Sequence, residues 1–392
     1  MTIVSLSDTR LNASRIEPLA LYVHWPFCVS KCPYCDFNSH VRASVDQDAW
    51  RAALLSDLAH EAQLLPGRQL GSIFFGGGTP SLMPPATVAA VIDAAVAAWS
   101  PAADIEITLE ANPSSVEAAR FADLASAGVN RVSLGLQALD DQALHFLGRA
   151  HTAEEGIAAL ATAQASFARV SFDLIYARPC QSPRAWEAEL ARALSFGTEH
   201  LSLYHLTIEP GTRFAMLVQQ GALQPVSLDD GATLFEQTRT QMAAADMPAY
   251  EVSNHAREHA ESRHNLTYWR YSDYVGIGPG AHGRRGGMAT VRHKKPETYL
   301  AAVVRNGHGL QAENPLSPRE QATEALLMGL RLKEGVDLAR ITERTGLATL
   351  VDPRATTNLA THGLLRQQDQ RLHATEAGML VLDSILAEIV IT

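Results

Sequence analysis

Three cysteines, Cys28, Cys32 and Cys35, stand within eight positions in the segment CVSKCPYCDF. The spacing, C-x3-C-x2-C, gathers three thiols in one loop. Thiolates are soft ligands suited to zinc, cuprous copper or iron–sulfur clusters. A structural zinc would want a fourth donor, which His24 or His40 could supply. A four-iron cluster normally takes four cysteines, so three leave one iron open to another ligand. The remaining cysteine, Cys180, is remote in sequence and reads as a small buried hydrophobe.

Other residues of chemical interest are scattered along the chain. GGGTP (76–80) puts three glycines in a row, which lets a backbone turn tightly and approach a ligand closely. Glu110, Gln137, Arg149, Asp173 and His205 are polar residues in or beside apolar runs. In HNLTYW (264–269), the imidazole of His264 suits iron, and Tyr268 and Trp269 offer flat faces that could stack on a macrocycle. His255 and His282 are further imidazoles nearby. Plainer alternatives stand beside these: an ion pair between Glu110 and Arg149, core packing for Tyr22, a loop cap for His264.

The elements that must position these residues alternate between β-type and α-type. LALYVHW, SIFF, DIEITLE, RVSLGLQ, RVSFDLIYA and HLSLYHLTI are each followed by a helical run, giving six βα units. The strands read as nearly continuous apolar runs, as expected when helices cover both faces. Such alternation implies a parallel sheet with right-handed crossovers. Six units fall short of a closed eight-stranded barrel. An α/β fold with an open, partial (β/α)6 barrel is expected, with a doubly wound sheet as the alternative. Both place chemistry at the C-terminal ends of the strands. The cysteines follow strand one, the glycines follow strand two, Glu110 and Gln137 end strands three and four, and Asp173 and His205 lie in strands five and six. From 256 to 315 the pattern breaks down. Beyond it, helices and then a hairpin predict a small winged-helix-like α+β domain. The expected organisation is a loosely ordered tail (1–17), the barrel (18–255), a connecting segment (256–315) and a C-terminal domain (316–392).

The 392 residues are 46% hydrophobic, enough for a sizeable core. The net charge of -10 disfavours general nucleic-acid binding, which needs concentrated Lys and Arg. No run resembles a secretory signal or a membrane span, and clustered thiols suit a reducing compartment, so a cytoplasmic protein is expected.

The cysteine spacing after the first strand of a six-unit array resembles the radical SAM superfamily. That resemblance implies a [4Fe-4S] cluster on Cys28, Cys32 and Cys35. Its open iron would chelate S-adenosylmethionine (SAM), which yields a 5′-deoxyadenosyl radical on one-electron cleavage. By the same resemblance Tyr22, Tyr34, Gly77, Gly78, Thr79, Glu110, Gln137, Arg149 and Asp173 would bind SAM. YVHWPFC, CPYCDF, FFGGGTPSLM, SLGLQ, DLIYARP and HNLTYW together resemble the oxygen-independent coproporphyrinogen III oxidase-like proteins, over nearly the whole chain. This group includes a dehydrogenase of haem biosynthesis and the haem chaperone HemW family. Phe37 stands where the dehydrogenase has a further cysteine, only about twenty residues precede strand one, and HNLTYW matches the chaperones' H-N-x-x-Y-W. The resemblance therefore implies haem as cargo, with His264, Asn265, Tyr268 and Trp269 as haem-binding candidates. It also implies haem-dependent acceptors such as membrane-associated respiratory enzymes, and possible dimerisation. Coproporphyrinogen dehydrogenation is the alternative. A regulator that binds nucleic acid through the C-terminal domain is a third reading. There, however, basic residues interleave with acidic ones, as on a solvated helix face.

Overall fold

The computed structural model describes residues 17–42 and 44–391. Apart from Glu17, the expected tail lies outside the described residues. Six strands run in chain order: β1 (Leu19–Trp25), β2 (Gln69–Gly77), β3 (Ser100–Ala111), β4 (Arg131–Gln137), β5 (Arg169–Tyr176) and β6 (His200–His205). Each pairs in parallel with the next. The major crossover helices are α1 (Gln47–Leu64), α2 (Pro85–Ala98), α3 (Ala153–Ser166) and α4 (Pro183–Leu194), and α5 (Leu228–Ala244) follows β6. The caps are locally encoded. Thr152 and Glu155 form a reciprocal capping box that starts α3, satisfying amides the helix cannot satisfy itself.

The connecting segment is more regular than its sequence suggests. Antiparallel β7 (Asn254–Ala256) edges β6, and β8 (Tyr274–Ile277) adds a seventh parallel strand beside β1. Three antiparallel strands, β9 (His282–Arg285), β10 (Met288–Arg292) and β11 (Leu310–Pro315), complete one eleven-stranded sheet, β11-β10-β9-β8-β1-β2-β3-β4-β5-β6-β7. The sheet has two free edges, so the barrel is partial. The antiparallel end is fastened to α1 by buried charges. Arg292 reaches Glu61 at 2.6 Å and Asp57 at 3.3 Å, Arg285 also bonds Glu61, and Asp57 accepts from Tyr299 at 2.9 Å. Removing one member of such a network typically costs about 3–5 kcal/mol, because a charge is left buried without its partner.

The strands are not apolar on both faces. Leu21, Val23, Ile73, Phe75, Leu109, Val132, Leu134, Phe172, Leu174, Leu201 and Leu203 are buried in the layer beneath the helices. The alternate positions Tyr22, Glu110, Arg131, Ser133, Asp173, His200, Ser202 and Tyr204 line the barrel interior. Successive side chains on a strand point to opposite faces, so the expected uniform runs resolve into an apolar outer row and a polar inner row. The short helix α6 (Arg263–Trp269) packs on β1 and β2 at the N-terminal end of the barrel.

The C-terminal part has its own apolar cluster, including Leu326, Leu330, Ile341, Leu372, Ile385 and Ile389. Helices α7 (Pro318–Gly329), α8 (Leu338–Thr345) and α9 (Pro353–Thr361) surround a three-stranded sheet, and the hairpin Leu365–Gln368/Arg371–Ala374 precedes Leu382–Ile389, as the sequence predicts. The PRE of 318–320 begins α7 in a capping box between Ser317 and Glu320. Arg340 bonds Glu17, and Arg344 bonds Asp273 and the Tyr271 carbonyl. These basic residues fasten the domain to the barrel's underside, which weakens the nucleic-acid reading. Among the described residues no helix is long and apolar enough to cross a membrane.

Candidate functional site

The C-terminal ends of the strands surround an open cavity of about 680 Å³. Cys28, Cys32, Cys35, Tyr34, Gly77, Gly78, Thr79, Glu110, Gln137, Arg149 and Asp173 all line it. Thr79 donates to the Cys28 sulfur at 3.5 Å, and Arg149 donates to the Cys32 sulfur at 3.5 Å, so two of the three sulfurs already face a donor. Arg149 is itself held by Asn112 Oδ1 at 2.5 Å and the Gly135 carbonyl at 3.0 Å. Burial pushes the Cys28 and Cys35 thiols up, so free thiols here favour the protonated form until something replaces the proton.

Among the described residues, no three His, Cys, Asp or Glu side chains converge on a single ion position. A zinc site would need donors within about 2.0–2.3 Å of one point. The imidazoles offered for such a site are also engaged: His24 with Tyr22 and the Asn38 carbonyl, at 3.0 Å each, and His40 with Asn38 at 3.2 Å. A multi-iron cluster asks for thiols spread around its faces, one to an iron, and a loop carrying three such thiols into an open cavity fits that demand.

The glycine loop is shaped by its neighbours. Gly77 has φ +115°, where L side chains are strained, and a Cβ there would lie 2.6 Å from the His24 ring. A Cβ on Gly78 would lie 2.7 Å from the Phe27 carbonyl oxygen. The backbone therefore touches the cysteine-bearing segment directly. Gln137 also has a positive φ, 69°, at the last position of β4, a strained conformation for a residue with a side chain and one that clusters at ligand sites.

Glu110 accepts from the Gly77 amide at 3.1 Å. Burial and then the like charge of Asp173 push Glu110 up to about 8. Asp173 rises to about 6, again mainly through burial, opposed by hydrogen bonds from Ser202 and Ser133. Two acidic groups held partly protonated at neutral pH, in a water-accessible cavity, suit a cationic ligand that would pull their protons off.

The other expected residues divide. His205 lines the same cavity. Tyr22 lies deeper, with its hydroxyl on His24, and joins a separate polar chamber of about 210 Å³. That chamber contains His264, Asn265 and Tyr268, and shares Glu110, Ser133, Asp173 and Tyr204 with the cavity above. His264 is only 2% exposed, and both its ring nitrogens are occupied, by Ser72 Oγ at 3.1 Å and the Tyr268 hydroxyl at 2.9 Å. Burial and Arg131 lower it to about 3, which keeps it neutral. In this conformation neither ring nitrogen of His264 is free to meet iron. Trp269 faces elsewhere, into a groove of about 330 Å³ between barrel and C-terminal domain. His255 is buried and His282 is exposed, and neither lines the cavity or the chamber. Cys180 is exposed rather than buried, at φ 63° in the loop after β5. Asn112, Arg131, Ser133, His200, Ser202 and Asn254 were not anticipated. The period-two alternation of RVSLGLQ and HLSLYH carries the signal for the inner polar row.

Comparison with known proteins now bears on the chain as a whole. The radical SAM superfamily description matches residues 22–190, and the HemN C-terminal domain matches 316–381. The chain is 37% identical to the protein named heme chaperone HemW of Escherichia coli, covering 95% of this chain and 98% of that one. The chain belongs to the radical SAM haem chaperone HemW family. The HemW of Bacillus subtilis is 33% identical over 92% of this chain and 96% of its own. A bovine protein named "Radical S-adenosyl methionine domain-containing protein 1, mitochondrial" is 41% identical over 94% of this chain and 86% of its own. The solved structure of E. coli coproporphyrinogen III oxidase, HemN, described as a radical SAM enzyme, aligns with TM-score 0.78 at 24% identity, covering 94% of this chain and 89% of that one. That likeness shows that the two chains share a fold.

Proposed function

We propose that this protein carries haem to haem-dependent proteins, respiratory enzymes among them, and that a [4Fe-4S] cluster and SAM at the barrel mouth govern loading or release. The single observation behind the reading is the convergence of the three cysteines, the glycine loop, Glu110, Gln137, Arg149 and Asp173 on one cavity, in a chain whose relatives bear the chaperone name. Cys28, Cys32 and Cys35 would hold the cluster. Thr79 and Arg149 would support the thiolates, and the loop at Gly77 and Gly78 would approach SAM with its backbone. Glu110 and Asp173 would meet the ligand's positive charge, with Tyr34, Gln137 and the more distant Tyr22 shaping the pocket. When bound, the reduced cluster would supply the electron for SAM cleavage.

For the cargo, Trp269 is the member of the H-N-x-x-Y-W signature placed where a macrocycle could reach it. Its groove is also lined by Arg270, Arg340, Arg344 and Arg371, guanidinium groups that suit carboxylates and that are paired in this conformation with Glu334, Glu17, Asp273 and Asp337. His264, Asn265 and Tyr268 look into the barrel. A dimer and cytoplasmic residence belong to the same proposal.

The test is a haem titration of anaerobically reconstituted protein, alongside incubation with SAM, reductant and coproporphyrinogen III. A saturable Soret shift without protoporphyrinogen formation supports the carrier. Catalytic turnover of coproporphyrinogen, or no Soret change, overturns it.

A further inference from the structure

The buried chamber beneath the mouth belongs to no role so far assigned. Its walls are mostly polar, with Phe74 among them, and two buried atoms of its lining residues, His200 Nδ1 and Asn254 Oδ1, have no hydrogen-bond partner. Buried polar groups are nearly always satisfied, and a polar chamber of this size has room for ordered water. Its roof is the underside of the cavity above, because Glu110 and Asp173 border both. Its floor is the helix that carries the family signature.

The floor is also connected to the cysteine loop by packing. The His264 ring stacks on Phe74 at 4.8 Å, and Phe74 stacks on Tyr22 at 6.3 Å. The Tyr22 hydroxyl meets His24 Nδ1 at 3.0 Å, and His24 Nε2 reaches the Asn38 carbonyl at 3.0 Å, three residues beyond Cys35. The same His24 ring lies against Gly77 of the glycine loop. The base of the stack is held from below. Glu106 accepts from the His264 amide at 3.2 Å and is paired with Arg169 at 2.9 Å. A shift of the His264 ring thus has a rigid path both to the cysteine loop and to the loop that would face SAM.

We propose that His264 and Tyr268 are positioning residues for the SAM site, acting through this stack and chamber, and are not ligands of haem. The inference rests on the reading that the mouth binds SAM. It accounts for a buried imidazole with both nitrogens engaged, and it separates the signature into an inward part and an outward residue, Trp269.

The test uses full-length, anaerobically reconstituted protein and the variants Tyr268→Phe and His264→Gln. Tyr268→Phe keeps the ring and removes only the hydroxyl on His264, so it guards against a folding failure in the other variant. SAM dissociation constants are measured across pH, with haem titrations and thermal melts in parallel. Loss of one such hydrogen bond is expected to weaken SAM binding about three- to tenfold and to move the pH midpoint of binding, while the Soret titration stays as in the wild type. A merely structural role would lower the melting temperature without moving that midpoint, and would overturn the inference. So would unchanged SAM binding with loss of the Soret shift, which would restore His264 as a ligand. If the wild type binds no SAM at all, the parent reading fails instead.

Discussion

The two ends of the barrel use similar residues to opposite purposes. The mouth presents thiols, carboxyls and backbone amides to an open cavity. The floor presents histidine and tyrosine to one another, and His264 has no free nitrogen. The difference lies in where the strands end. At their C-terminal ends the chain leaves the sheet in loops, and loops can turn side chains toward a ligand. At the N-terminal ends a helix covers the opening, so its polar side chains must satisfy each other. A histidine in a signature motif is thus a ligand candidate only after its surroundings are known.

That contrast can be broken most severely at the cysteines. Alanine at Cys28, Cys32 or Cys35 is expected to abolish iron–sulfur absorbance and with it SAM binding, whereas Cys180→Ala, at an exposed position outside the cavity, leaves both intact. Equal losses in the Cys180 variant would show that the ligands are misassigned.

A smaller effect is expected where the mouth's backbone is shaped by the floor's stack. Gly77→Ala adds a methyl at positive φ against the His24 ring and should cost about 1–3 kcal/mol in denaturant unfolding, since strain of this kind is of that order. Unchanged stability would mean that the loop is free to move away.

The pH dependence sharpens the comparison further, because the groups that titrate near neutrality here sit at the mouth. Glu110 has Asp173 from β5, Tyr22 from β1, Arg131 from β4, Tyr204 from β6 and His264 and Tyr268 from α6 around it, and burial, followed by the like charge of Asp173, pushes it up to about 8. A cationic ligand binds the ionised carboxylate better, so binding releases a proton. SAM affinity should therefore rise with pH toward about 8 and level off above it, falling by up to about tenfold per unit below. Protonation of Asp173, near 6, adds to the loss at lower pH. An affinity independent of pH between 6 and 8.5 would remove Glu110 from the site.

The least effect is expected at Phe37, which is 59% exposed on the rim. Phe37→Ala should leave cluster content and stability within error, as exposed side chains generally do. Loss of iron in that variant would make it part of the cluster pocket.

Much of the mouth was legible because its chemistry is local in sequence. Three cysteines share one loop, three glycines another, and each follows an apolar run recognisable as a strand. LALYVHW and RVSLGLQ match β1 and β4 residue for residue. The floor was less legible because it is assembled from distant pieces. Ser72 and His264 meet only after five crossovers have wound the sheet, and nothing in HNLTYW says which way its helix will face. YVGI, at 274–277, is too short to announce a strand, yet it pairs with β1 and carries the antiparallel extension. The inner polar row was available in the alternation of strands three to six and was obscured by reading those strands as buried on both faces.

The account rests most directly on what the three thiols hold. Iron, acid-labile sulfide and zinc should be determined on anaerobically reconstituted protein, with the absorption spectrum taken on the same sample. The expected result is about four irons and four sulfides per chain, with broad charge-transfer absorbance and no zinc. One zinc per chain with neither iron nor sulfide would contradict it.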